Sequence, residues 1–231
     1  MIKIAIAVIV VLSIFSGIII YNEKNSKESL DIEYTGAKAQ PTINSNQYNE
    51  GDSTESTTTM KQPKIIIDPN VVYNAKVTTS KGAFTIELKQ GETPKTVNNF
   101  VYLASKGFYK DTIFHRVIKG FMIQGGDPTG TGMGGPGYKF EDEKFSGSYA
   151  PGTVAMANSG PNTNGSQFFI MHGEQDLPPN YTIFGHVSEG MDVIDMIASA
   201  NVTYGNSGEQ STPVDPVKIM SIEISPAVST N

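Results

Sequence analysis

The sequence predicts a mainly β domain, a closed antiparallel barrel with two α-helices, preceded by an N-terminal transmembrane helix. Three observations predict it. From about residue 70 onward, apolar residues fall in short alternating runs parted by glycine-rich turns. Only two stretches in that region carry helical spacing. Ahead of them stands one unbroken apolar run, unlike anything else in the chain.

That run comes first. Ile4 to Ile20 is apolar apart from Ser13 and Ser16, with Lys3 just before it. At 1.5 Å per residue, Ile4 to Tyr21 reaches roughly 27 Å, close to the thickness of a bilayer core. A cleaved signal peptide has a shorter apolar core and a small-x-small site after it. Here the run ends in Gly17-Ile18-Ile19-Ile20-Tyr21-Asn22 with no such site in register. Residues 1–21 therefore read as an uncleaved anchor, with secretion after cleavage as the alternative. Lys3 and the terminal amine lie on one side, while Glu23, Lys24, Lys27 and Glu28 cancel on the other. The positive-inside bias places the rest of the chain outside the cytoplasm.

Residues 22–69 read as a polar tether rich in Asn, Ser, Thr, Glu and Lys. Without apolar periodicity it buries too little surface to offset the entropy of ordering. Ile65-Ile66-Ile67 is its one apolar patch and marks the edge of the folded domain, which is placed at residues 70–226; 227–231 form a tail.

Within the domain, Ala75 to Thr79 and Ala83 to Leu88 alternate around Ser80-Lys81-Gly82, a hairpin pattern. Thr93 is set to cap a helix with Pro94 at its first position. Val97, Phe100, Val101 and Ala104 then follow helical spacing, and Gly107 stands where the chain needs a left-handed residue. Ile113–Val117, Phe121–Gln124, Thr153–Ala157, Phe168–Met171 and Thr182–Val187 read as short strands. Met191 to Ala198 reads as the second helix, and Val217–Ile224 as the closing strand.

The composition narrows function. A net charge of -6, with no concentrated basic patch, argues against nucleic acid as a partner. The absence of Cys removes thiolate chemistry and disulfides. Gly130-Thr131-Gly132-Met133-Gly134-Gly135 fits the dinucleotide fingerprint only formally, because Pro136-Gly137 follows where a helix must open. His115, His172 and His186 are widely separated, and nothing in their spacing builds a metal site. His115 reads as a hydrogen-bonded structural histidine that faces away from both Phe114 and Arg116. Glu141-Asp142-Glu143 reads as a solvated acidic turn.

Arg116 is different. Phe121, Met122 and Gln124 follow it within eight residues, and Gly125-Gly126 allow close backbone approach. A second dense run ends in paired aromatics, Phe168-Phe169. One fixed cation beside apolar groups and an amide, with no nucleophile, suits a neutral apolar ligand polarised without covalent chemistry.

Two runs carry a resemblance. Phe114-His115-Arg116-Val117-Ile118 with Gly120-Phe121-Met122, Gln124 and Gly125-Gly126-Asp127 is one; Ala157-Asn158 through Gly160-Pro161-Asn162-Thr163-Asn164-Gly165-Ser166-Gln167-Phe168-Phe169 is the other. They resemble the cyclophilin family of peptidyl-prolyl cis-trans isomerases over about Val71 to Pro226. The resemblance implies an eight-stranded antiparallel barrel capped by two α-helices, with the site on its outer face. The short Gly130–Gly137 connection looks like the compact prokaryotic form.

By that resemblance Arg116 is the catalytic arginine, acting with Phe121 and Gln124. Met122, Phe169 and Leu177 line a proline pocket with Phe121, and Ala157, Asn158, Gln167 and Tyr181 hold the peptide. No cofactor and no metal are implied. The implied partners are proline-containing polypeptides, met by a monomer tethered to the membrane. Tyr181 stands where many eukaryotic members carry a histidine. Asp176 stands where some carry a tryptophan, which implies weak affinity for cyclosporin. Leu177-Pro178-Pro179-Asn180 departs from the usual Leu-Asp-Gly-Lys. A non-catalytic module that merely holds extracytoplasmic clients is the rival reading.

Overall fold

The structure, a computed structural model, describes residues 60–205 and 208–227. The predicted anchor, residues 22–59 of the predicted linker and residues 228–231 of the tail lie outside the described residues. Among the described residues no helix is long and apolar enough to cross a membrane.

The expected hairpin is present as β1 (Tyr73–Thr79) and β2 (Gly82–Leu88). Helix α1 spans Pro94–Ser105, and α2 spans Met191–Ala198. The remaining strands are β3 (Arg116–Ile118), β4 (Met122–Gly125), β5 (Thr153–Met156), β6 (Phe168–Met171), β7 (Ile183–Glu189), β8 (Val202–Tyr204), β9 (Gln210–Pro213) and β10 (Ile219–Pro226). Eight of these ten strands form one antiparallel sheet in the order β10-β1-β2-β7-β5-β6-β4-β3. β8 and β9 pair separately as a hairpin that the sequence reading did not foresee.

The barrel is not closed as expected. No ladder among the described residues joins the edge strands β3 and β10. The seam is spanned by a short irregular segment instead. Ile113 bridges both Asp127 and Lys218. Phe114 N donates to Val217 O at 3.0 Å, and Ile219 N to Thr112 O at 2.8 Å. Both edges reach one segment, so the sheet curls round on itself as a half-barrel. Asp111, at φ 65, sends the chain off the regular strand path just before this segment.

The expected strand over Ile113–Val117 is broken for the same reason. Phe114 lies in the main core, whereas Arg116 opens β3 without joining it. The alternation therefore does not put Phe114 and Arg116 on one face. Nor does His115 make a hydrogen bond of normal geometry: neither ring nitrogen has such a partner among the described residues, and the Ile113 main chain makes only a weaker contact with the ring.

The main core lies inside the curl. α1 contributes Val97, Phe100, Val101 and Ala104, all buried. Phe100 packs edge-on to Phe168, centroids 5.6 Å apart, and tilted against Phe184 at 5.2 Å. Each such ring contributes roughly 1.5–3 kcal/mol of transfer free energy. Gly107 takes the expected left-handed conformation, φ 69.

The cap of α1 differs from the expectation. Among the described residues Thr93 makes no side-chain cap bond; its hydroxyl turns inward to Ile183 O at 3.3 Å. Glu143 supplies the cap from far along the chain. It accepts from Lys95 N at 3.0 Å, and from Thr96 N and Thr96 Oγ1 at 2.7 Å each. An anion at a helix N-terminus satisfies its orphan N–H groups and its dipole. Asp142 likewise accepts from Asn162 N at 3.0 Å and Asn164 Nδ2 at 2.7 Å. Glu141 and Asp142 are exposed, as expected of a solvated turn, but Asp142 and Glu143 also carry structural hydrogen bonds.

Residues 60–67, at the end of the predicted linker, lie along the domain. Met60 N donates to Pro136 O at 3.1 Å and Ile66 N to Asn98 Oδ1 at 2.7 Å. Ile67 is buried in the core, while Ile65 and Ile66 stay exposed.

Strand alternation separates two apolar clusters. Ile123, Val154, Met156, Phe168, Ile170 and Phe184 face the main core. Their neighbours Met122, Ala155, Phe169, Met171 and Ile183 face the other way and form a second cluster. A period of two along each strand produces this division.

Candidate active site

The second cluster forms the floor of the candidate site. Phe121, Ala157, Leu177 and Tyr181 are half-buried against Met122, Phe169 and the cluster's other members. Cross-strand register sets the polar groups in line with it. Arg116 on β3 stands opposite Gln124 on β4, Gln124 opposite Phe169 on β6, and Phe169 opposite Ala155 on β5. One row across four strands thus carries a cation, an amide, an aromatic ring and a small residue.

Phe121 reaches this floor through a tight turn. Phe121 N donates to Ile118 O at 3.0 Å, and Gly120 takes φ 79, where a side chain would be strained. His172 Nδ1 accepts from Gly120 N at 2.8 Å, and Phe121 O accepts from His172 N at 2.8 Å. The Arg116 guanidinium carbon lies 5.9 Å from the centroid of the Phe121 ring. Phe169 meets Tyr181 edge-on at 5.6 Å, and Tyr149 lies 6.4 Å from both rings. Tyr149 holds this corner through its hydroxyl, which donates to Tyr181 O at 2.9 Å and accepts from Tyr181 N at 3.1 Å. Burial pushes the Tyr149 phenol up to about 12 and raises that of Tyr181, against which the Arg116 charge pulls.

A chain of amides runs away from Arg116. Nη1 lies 3.5 Å from Gln124 Oε1. Gln124 Nε2 donates to Gln167 Oε1 at 3.0 Å. Gln167 Nε2 donates to Gly132 O and Gly134 O, each at 2.9 Å. The same glycine loop turns its amides onto Asp127, whose Oδ2 accepts Gly132 N at 2.6 Å and Gly134 N at 3.0 Å. Burial alone would raise the Asp127 carboxyl, but these bonds and those from Thr129 lower it. The formal dinucleotide motif is therefore a loop wound about a carboxylate.

Ala157 N donates to Gln167 O at 3.0 Å, which carries β5 past its last ladder pair and brings Asn158 alongside. Asn158 Nδ2 donates to Asn180 O at 2.8 Å. Asp176, next to Leu177, is exposed. Nine of the ten residues singled out from the sequence thus meet at one face; Asn158 borders it through its side chain and through Ala157.

Two participants escaped the sequence reading. Tyr149 had no motif around it. Glu209, just before β9, pairs bidentately with Arg116: Nε to Oε2 at 2.7 Å and Nη2 to Oε1 at 2.9 Å. Burial would raise the Glu209 carboxyl; the Arg116 hydrogen bonds and charge, with Ser211, outweigh it and lower it. Two clefts elsewhere, beside residues 62–65 and beside Asp142–Phe145 with Pro179, include none of the ten. Among the described residues no three His, Asp or Glu side chains are grouped to hold a metal.

Residues 74–224 match the family model described as cyclophilin type peptidyl-prolyl cis-trans isomerase/CLD. Similar proteins bear the name peptidyl-prolyl cis-trans isomerase-like 1. That of Neurospora crassa is 55% identical over 124 residues, 51% of this chain and 76% of the relative. That of Homo sapiens is 46% identical over 156 residues, 64% of this chain and 89% of the relative. A crystal structure of a Cryptosporidium parvum cyclophilin-type isomerase superposes with a TM-score of 0.62 at 38% identity, covering 67% of this chain and 98% of that one. The same protein in the presence of the dipeptide Ala-Pro gives 0.61 at 38% identity, covering 66% and 98%. These relatives are eukaryotic and lend no support to a prokaryotic form.

Proposed function

Since the chain belongs to the cyclophilin-type peptidyl-prolyl cis-trans isomerase family and is an enzyme of that class, we propose that Arg116 drives rotation of X-Pro bonds over the apolar floor of Phe121, Met122, Phe169 and Leu177. The observation that carries this reading is the cross-strand row Arg116–Gln124–Phe169 on the face away from the core.

The chemistry follows from the bond. The planar amide is held by delocalisation of the nitrogen lone pair, with a barrier of about 18–20 kcal/mol. On twisting, the lone pair localises on the prolyl nitrogen, which becomes a hydrogen-bond acceptor. A guanidinium aimed there binds the twisted state more strongly than the planar one, which lowers the barrier. Arg suits the task because it stays charged and offers rigid donors. The apolar floor anchors the proline ring, Gln124 and Gln167 with the Ala157-Asn158 main chain hold the peptide, and Tyr181 walls the far side. No bond is made or broken.

The clients proposed are proline-containing polypeptides outside the cytoplasm, newly exported or membrane-bound. Residues 1–21 would anchor the enzyme as a single-pass protein, and the polar residues after them would let a monomeric domain range over its clients. Support for this part is the apolar run alone. Turnover of a chromogenic X-Pro peptide by the full chain tests the catalytic reading. Membrane fractionation with N-terminal sequencing tests the address: a soluble, cytoplasmic chain would contradict it.

A further inference from the structure

The five N–H donors of Arg116 are committed unevenly. Glu209 takes the Nε–Nη2 edge in two parallel bonds at 2.7 and 2.9 Å, a fork that fixes a guanidinium in direction and plane. Among the described residues Nη1, at the other end, meets only Gln124 Oε1 at 3.5 Å and Met122 Sδ at 3.9 Å, too far for strong bonds. The free donors therefore lie on the side of Met122 and Gln124, and the gripped edge lies away from them.

The grip is well supported. The Arg116 and Glu209 side chains are only 27% and 17% exposed, so water screens the pair less than a surface pair. Gly205 N donates to Glu209 O at 2.9 Å and pins the main chain. β9, which begins at the next residue, packs against β3, the strand that carries Arg116. The β8–β9 hairpin stands outside the main sheet and contributes nothing to its ladder. Beside the packing of β9 on β3, it reaches Arg116 through this carboxylate.

We propose that Glu209 is the positioning residue for Arg116, holding the guanidinium by one edge so that Nη1 is presented over the floor where the prolyl nitrogen twists. This rests on the reading of Arg116 as the catalytic cation. The opposite role, competition with the substrate for the cation, predicts the opposite sign.

A double-mutant cycle in the full chain separates them. Glu209→Ala lowers kcat/KM by about ten- to hundredfold, mostly through kcat, as for a misaimed group. Glu209→Gln loses less, because its amide oxygen still accepts one bond; it also carries the comparison should the alanine variant not fold. In an Arg116→Ala background, Glu209→Ala costs nothing further. The Arg116 Nε–H NMR resonance, protected in the wild type, loses protection in Glu209→Ala. Activity of Glu209→Ala at or above wild type overturns the proposal, and so does an equal loss with Arg116 already removed. If Arg116→Ala alone keeps full activity, the catalytic reading fails and takes the proposal with it. An Nε–H signal unchanged in Glu209→Ala sinks the positioning claim alone.

Discussion

Arg116 and Gln124 are direct cross-strand partners on β3 and β4, and Nη1 of the first lies 3.5 Å from Oε1 of the second. Gln124 in turn bonds Gln167, which bonds the glycine loop. The amide orientation at Gln124 is thereby set from behind: its nitrogen is occupied, and its oxygen faces the cation.

Removing that relay has a measurable cost. Gln124→Ala is expected to lower kcat/KM by about fivefold, the worth of one hydrogen bond of about 1 kcal/mol. Gln167→Ala should act in the same direction while leaving the Arg116–Glu209 pair intact. Peptide-isomerisation kinetics check both, and an increase in either variant would contradict the relay.

Phe169 serves floor and fold together. It is 5% exposed and packs against Tyr181 and Tyr149. Phe169→Ala should cost about 3–5 kcal/mol of stability, by cavity formation, and raise KM as well. Urea unfolding beside kinetics measures the two effects; unchanged KM would remove Phe169 from the substrate's path.

The cap on α1 predicts a loss confined to stability. Glu143→Ala should destabilise the domain by about 0.5–2 kcal/mol, the range for a lost helix cap. Activity below the melting transition should stay at the wild-type level, because the carboxylate is bonded to α1 rather than to the site. A thermal melt beside an assay checks this.

His115 fixes the sign of one pH effect. Its pKa is lowered from 6.5, first by burial and also by the Arg116 charge, with Asp127 opposing. The unfolded chain then binds a proton that the folded one refuses. Stability from this group is complete above the ordinary histidine range and is lost as pH falls through the lowered value. The wild-type melting temperature should therefore drop between about pH 7 and about pH 5, and less so in His115→Gln. An equal drop in both would assign the effect to other groups.

Much of the domain was legible in the sequence because its strands alternate and its turns carry glycine. Phe168–Met171 and Met191–Ala198 came out with the expected bounds. What was lost depended on distance along the chain. Glu143 replaces Thr93 as the cap across 47 residues, and local propensity says nothing of that. Glu209 meets Arg116 across 93 residues, from a hairpin whose strands are three and four residues long and hold too few apolar side chains to alternate. The closed barrel failed at Asp111–His115, where an irregular segment, invisible to periodicity, spans the seam. The candidate residues on adjacent strands fall within the two motifs; the carboxylate that grips Arg116 lies outside both.

The most direct measurement is kcat/KM of Arg116→Ala in a protease-coupled assay on a proline peptide, with circular dichroism to confirm the fold. A single electrostatic donor aimed at the twisting amide predicts a fall of about 10²–10³. A folded Arg116→Ala variant with wild-type turnover would contradict the account at its centre.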